Sequence, residues 1–176
     1  MTSATTVNDE APAPVRAPRL LGLYLLLILI AAIEAFDGLS HVPTLFGDMS
    51  EIPGPGVGGA IIKAYIASHP VLALVALALA TVGRLRHAIM TLGALVLMTW
   101  LNDMPSVVRH GLDFRGVSAF ETPVRIIAFP LMAACGIALA ARSQRLGLAT
   151  MLVSISTLYG VFAVIAFGIG VILYGF

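Results

Sequence analysis

Charge is what this chain has least of. Lysine, arginine, aspartate and glutamate together make up 11% of its 176 residues, against about a quarter in soluble domains. Apolar residues reach 59%, and the mean hydropathy is +1.00. This balance excludes a soluble globular class. A net charge of only +1, with no basic face, excludes nucleic acid as a partner. The single cysteine, Cys135, excludes an intramolecular disulfide or a cysteine-held cluster. Set between Ala134 and Gly136 in an apolar run, it is expected to be a small packing residue. The sequence has no nucleophile elbow, phosphate loop or His-Glu-x-x-His pair, so catalysis by this chain alone is not expected. Composition points to an integral membrane protein in contact with the lipid bilayer. There is room for roughly four to six spans of about 20 residues and no separate soluble domain.

What the chain does have is long apolar runs punctuated by proline, glycine and arginine. Residues 1–18 form a Pro-rich polar tail, expected to be extended or disordered. Arg16 and Arg19 before an apolar run resemble the start of a signal peptide. The apolar core is long, however, and Glu34 and Asp37 stand where a small-residue cleavage site belongs, so a retained span is expected. Span 1 is expected over 20–40, followed by an irregular Pro- and Gly-rich segment over 42–59. Residues 60–68 read as a short helix. Span 2 follows over 70–83, or runs back through Ile61 with a kink at Pro70. Span 3 covers 88–104 and is expected to stop at Pro105, before a polar loop carrying Arg109, His110, Asp113 and Arg115. Glu121-Thr122-Pro123 opens span 4, which runs to Ala141 with a bend at Pro130. Span 5, over 148–176, carries no charged residue. It would reach roughly 42 Å at 1.5 Å per residue, more than the roughly 30 Å of a bilayer core.

Three short segments hold two arginines and no acid: Arg16 and Arg19, Arg84 and Arg86, Arg142 and Arg145. The positive-inside rule places them in the cytoplasm. The expected fold is therefore an all-α, polytopic membrane helical bundle of five transmembrane helices, with the N-terminus cytoplasmic and the C-terminus extracytoplasmic. Residues 1–18 are the cytoplasmic tail and 19–176 the single transmembrane domain, in what would be a bacterial inner membrane. An internal echo links spans 1–2 with spans 3–4. Asp37 and Asp103 each close a span that is followed by an outer loop, a polar-Pro helix start and a two-Arg turn.

At 100° per residue, Glu34, Asp37 and His41 fall within about 60° of one another on one helix face. Carboxylates at the edge of a hydrocarbon layer usually face a bundle interior or a polar cavity. Thr99, Asn102 and Asp103 share a face by the same spacing, and Lys63, His69 and Arg125 enter their spans at matching depth. Glu34, Asp37, His41, Lys63, His69, Asn102, Asp103 and Arg125 thus form a candidate polar cluster at the extracytoplasmic ends of spans 1–4. It reads either as a ligand or proton site or as a structural network in which Lys63 or Arg125 neutralises Glu34 and Asp37. His41 and His69 are also candidate haem or metal ligands. That reading is the less favoured one, because both lie near a span's edge and no His-x-x-x-His or Glu-x-x-His pair supports it. Trp100 reads as an interfacial anchor. Gly136, Gly147, Gly160, Gly168 and Gly170 read as small-residue packing positions.

From Val71 to Met98, the order of apolar span, Gly83-Arg84-Leu85-Arg86 turn and second apolar span is similar to the small four-helix DoxX-type membrane proteins. The preceding 60–70 segment and the Phe36-Asp37-Gly38 end of span 1 fit the same pattern, which covers residues 20–141 and leaves span 5 outside it. The resemblance implies a small membrane subunit associated with quinone-linked or thiol redox systems. Three functions are weighed on these grounds. The first is a membrane subunit of a larger assembly, partnered by other membrane proteins or by copies of itself, whose polar cluster meets a partner or a lipid-soluble ligand such as quinone. The second is a small carrier or channel using Glu34 and Asp103, and the third is a haem- or metal-binding redox subunit.

Overall fold

The computed structural model describes residues 17–46, 56–116 and 118–175, most of them helical, with no strand among them. The Pro-rich tail, apart from its last two residues, and the centre of the 42–59 segment lie outside the described residues. The elements are α1 (Ala17–Ser40), α2 (Val42–Phe46), α3 (Val57–Thr81), α4 (Leu85–His110), α5 (Ser118–Pro123), a π-helical turn (Val124–Ala128), α6 (Phe129–Ala141) and α7 (Leu146–Tyr174). Five helical segments are long and apolar enough to cross a membrane: Leu21–Phe46, Val57–Thr81, Leu85–His110, Ala119–Ala141 and Leu146–Tyr174.

Two expected boundaries move. The 42–59 segment is not wholly irregular, since Val42–Phe46 is helical and α3 already begins at Val57, so that span 2 is one helix running through Pro70. Pro105 does not stop span 3, and α4 continues through it to His110. A proline in a helix forfeits one backbone hydrogen bond, but here its ring is seated on α3. A Cβ added at Gly58 would lie 3.3 Å from the Pro105 Cβ.

The helices alternate in direction, and α4 packs against α1, α3, α6 and α7. What lets apolar rods pack this closely is small residues at helical spacing. Ala73, Ala76 and Ala80 of α3, and Ala133, Gly136 and Ala140 of α6, are all buried. A Cβ on Gly136 would come within 2.7 Å of the Val153 Cγ1, and one on Gly93 within 2.6 Å of the Ile137 Cγ1. At the arginine-turn end these contacts close a core in which Leu27, Ile30, Ile89, Leu92 and Val153 are almost wholly excluded from solvent. Cys135, expected in the packing, is instead exposed on α6. Gly160, Gly168 and Gly170 meet no atom within 4 Å of an added Cβ.

The two arginine turns share one backbone device. Arg84 N donates to Leu79 O and Gly83 N to Ala80 O; Gln144 N donates to Leu139 O and Ser143 N to Ala140 O. This is the Schellman pattern, which places its C′ residue in the left-handed region. Gly83 sits there at φ +82, and Ser143 at φ +53.

The matching turns set the register of an internal repeat, and it is shifted by one helix from the expected echo. Helices α3–α4 correspond to α6–α7. At one constant offset Ile66, Pro70, Ala73, Ala78, Leu79 and Ala80 match Ile126, Pro130, Ala133, Ala138, Leu139 and Ala140. With one residue more in the second turn, Arg84, Leu85, Ala88, Met90 and Leu97 match Arg145, Leu146, Ala149, Met151 and Leu158. Burial follows the same register: Ala88, Ile89, Leu92, Gly93 and Val96 of α4 correspond to Ala149, Thr150, Val153, Ser154 and Thr157 of α7, all buried. Helix α1 stands outside the repeat.

Candidate functional site

The site begins where α1 ends. The Asp37 carbonyl accepts from Ser40 Oγ at 2.6 Å and lies 2.9 Å from His41 Nδ1. Side chains thereby replace the backbone donors that another helical turn would supply. One turn inside, Gly38 brings α1 against α3. An added Cβ there would lie 2.9 Å from both His69 Nδ1 and Pro70 Cα, so glycine is what permits this approach.

That approach sets His69 beside Glu34. His69 is 1% exposed, and its Nε2 lies 3.4 Å from Glu34 Oε2 and 3.9 Å from Asp37 Oδ2. The other Glu34 oxygen accepts from Thr157 Oγ1 of α7 at 2.6 Å. One carboxylate thus ties α1 to α3 and α7, at a level where a buried charge without partners would be costly. Tyr65, one turn before His69, tilts against its ring at a centroid distance of 5.0 Å, and His41 lies edge-on to both at 5.9 and 6.4 Å.

A second cluster stands across the bundle. Arg125 NH2 donates to Asp103 Oδ2 at 3.0 Å, and NH1 donates to Glu121 Oε1 at 3.3 Å. Arg125 is positioned by backbone chemistry. Pro130 has no N–H to give the carbonyl four residues before it, and the chain forms a π turn in which Phe129 N reaches back to Val124 O. The Ile126 carbonyl left over is taken by Trp100 Nε1 at 2.9 Å. Trp100, expected as an interfacial anchor, is therefore half-buried and ties α4 to the irregular start of α6.

The candidate residues do not all gather. Glu34, Asp37, His69, Asp103 and Arg125 line one cavity of about 680 Å³, and His41 adjoins it through His69. Lys63 is exposed and makes no ion pair among the described residues. Asn102 is off the cavity wall, its Oδ1 buried without a hydrogen-bond partner. The expected neutralisation of Glu34 by Lys63 or Arg125 is not what the side chains do, because His69 and Thr157 hold Glu34 while Asp103 and Glu121 hold Arg125. Sequence reasoning missed Thr157 because the cluster was sought around acidic and basic residues, and the last span has none. Thr150, Ser154 and Thr157 fall on one face of α7, and all three are buried. Polar side chains on one stripe of an apolar helix mark the face turned into a bundle.

The cavity sits between the two repeats, lined by equivalent positions of each. Tyr65 and His69 of α3 correspond to Arg125 and Phe129, and Thr99, Trp100 and Asp103 of α4 correspond to Gly160, Val161 and Val164 of α7; all ten line it. The α4 positions present polar groups to the cavity, while those on α7 present apolar ones. Phe129 and Tyr159 meet edge to face at 5.5 Å in the apolar wall. The lining residues Phe36, Val164 and Ile165 are largely exposed, so the cavity opens on the flank of the bundle between α1 and α7. A smaller cavity of about 290 Å³, on the other side of Asp103, Glu121 and Arg125, shares only those three residues with it.

No family model, curated protein or solved structure matches the chain. The DoxX-type resemblance is supported by none of these comparisons and transfers no residue role. Function has to be argued from the cavity.

Proposed function

We propose that this protein is a small integral membrane subunit that binds a lipid-soluble molecule with a hydrogen-bonding head group, of the quinone class, in the cavity between its two repeats. The arginine turns and the N-terminus lie in the cytoplasm of a bacterial inner membrane, and the cavity lies toward the extracytoplasmic side. The observation that carries the reading is that equivalent positions of α4 and α7 give one cavity a polar stretch, Thr99, Trp100 and Asp103, and an apolar one, Gly160, Val161 and Val164. A volume of about 680 Å³ falls in the range of small-molecule sites, roughly 300–1,000 Å³. Tyr65 and Arg125 offer donors to ring oxygens, and Phe129, Tyr159 and Val161 offer a surface to a ring face and tail. The opening beside Phe36 and Val164 suits entry from the bilayer.

The test is binding of a short-tailed quinone to the purified protein in lipid nanodiscs. Gly160 lines the cavity and an added Cβ there meets nothing within 4 Å, so Gly160→Trp adds bulk at the cavity wall without a clash at Cβ. Saturable binding at one quinone per chain, weakened at least about tenfold by this substitution, is expected. Binding that is absent or indifferent to it contradicts the reading.

Membership of a larger assembly is supported by α7, which from Gly160 onward has no buried residue and leaves a helical face for lipid or another subunit. Extraction in mild detergent is expected to yield the chain together with other membrane polypeptides; a lone monomer weighs against it. A carrier has less support, because Leu27, Ile30, Ile89 and Leu92 pack the arginine-turn end and leave no polar continuation among the described residues.

A further inference from the structure

We propose that the corner between α1 and α3 is a divalent transition-metal site, with His69, His41 and Asp37 as ligands and Glu34 as the fourth. The inference does not rest on the quinone reading. One ligand atom from each of Asp37, His41 and His69 lies within 4.8 Å of the others, although the residues come from the end of α1, the turn after it and the middle of α3. The fourth corner is closer still, with His69 Nε2 and Glu34 Oε2 at 3.4 Å. Metal–ligand bonds of about 2.0–2.1 Å set tetrahedral edges of about 3.3 Å. Asp37 Oδ2 is wider, at 3.9 Å from His69 Nε2, but its side chain is 58% exposed and free to swing inward by ~0.5 Å, a small adjustment against such an edge.

The groups behind His41 and Glu34 fit ligation as well, while His69 Nδ1 is buried with no hydrogen-bond partner among the described residues. His41 Nδ1 faces the Asp37 carbonyl at 2.9 Å; donation there leaves Nε2 with the lone pair a metal needs, the usual arrangement behind a ligating histidine. Glu34 is held through its other oxygen by Thr157, so Oε2 is directed to the cluster. Charge argues the same way. Two carboxylates converge on one buried imidazole, and even a protonated His69 leaves a net negative corner. Lys63 makes no ion pair among the described residues, and Arg125 is engaged by Asp103 and Glu121. Two imidazoles with two carboxylates suit Zn²⁺ or Fe²⁺; Mg²⁺ and Ca²⁺ prefer all-oxygen sites.

The experiment uses the full chain without a polyhistidine tag, stripped by chelator in detergent and titrated calorimetrically with Zn²⁺, then with Co²⁺ as an optical probe. One Zn²⁺ per chain at micromolar affinity or tighter is expected, along with a Co²⁺ spectrum of four-coordinate nitrogen and oxygen ligation. Asp37→Asn and His41→Ala alter side chains outside the core and should keep the thermal unfolding profile while each weakens Zn²⁺ binding at least about tenfold, as loss of a ligand does. His110→Ala, remote from the corner on α4, should leave it unchanged. The proposal is overturned by the absence of stoichiometric binding, by binding that survives both Asp37→Asn and His41→Ala, or by loss of binding in His110→Ala alone.

Discussion

The hairpins α3–α4 and α6–α7 share a turn geometry and bury the same register of residues. They differ in what they show to the cavity between them. His69, Thr99 and Asp103 on one side stand where Phe129, Gly160 and Val164 stand on the other. Packing tolerates this divergence because the cavity-facing residues lie beyond the closed core, whereas the small residues beside the turns, Ala76 and Gly136 among them, have stayed small. A cavity with polar α4 positions facing apolar α7 positions is thus built from two copies of one element, and α1 adds Glu34 and Asp37 to the Asp103 of α4.

The comparison can be broken by moving residues between the copies. His69→Phe installs the second hairpin's residue in the first and strips Glu34 of its buried partner. Leaving a largely buried carboxylate without one of its partners costs about 1–3 kcal/mol, and with Glu34 15% exposed and still held by Thr157 a loss of roughly 2–3 kcal/mol is expected in denaturant unfolding. The reverse exchange, Phe129→His, should cost less, because it leaves no charge unpaired. Next comes the packing: Gly136→Ala sets a methyl 2.7 Å from Val153 Cγ1 and should cost about 1–3 kcal/mol as an overpacked contact, whereas Ala76→Gly at the equivalent place should cost about 1 kcal/mol through helix propensity. The turns come third. Ser143 holds a left-handed conformation that disfavours a side chain by roughly 1 kcal/mol, so Ser143→Gly should raise the unfolding midpoint and Gly83→Ser should lower it. The smallest effect is on Arg125. It is 46% exposed, and Arg125→Ala should change stability by less than about 1 kcal/mol. Because Arg125 also lines the cavity, the same variant should weaken quinone binding more visibly than it weakens the fold.

The helices themselves were legible, because uninterrupted apolar runs bounded by Arg, Pro and Gly leave few alternatives. Proline misled at Pro105, where the deciding contact is Gly58, distant in sequence. The repeat was legible in principle but was read from its acids, Asp37 and Asp103, which belong to helices that are not equivalent. Its true register lies in the prolines and alanines of α3 and α6. At the site, helical spacing could place Glu34 and Asp37 on one face, but it could not choose their partner. Lys63 was a natural guess by charge, and Gly38 decided for His69 by letting α3 come close. Thr157 carries no charge and reaches Glu34 only because α7 folds back against α1.

The most direct test of the account is photolabelling with an azido-quinone in nanodiscs, followed by mapping of the modified peptides. Label concentrated in residues 95–103 and 156–165, and diminished in Gly160→Trp, is the expected result. Label spread over the outward apolar faces at Leu21, Leu25, Leu29 and Leu131, with Gly160→Trp making no difference, would contradict the claim that the two repeats enclose a binding site.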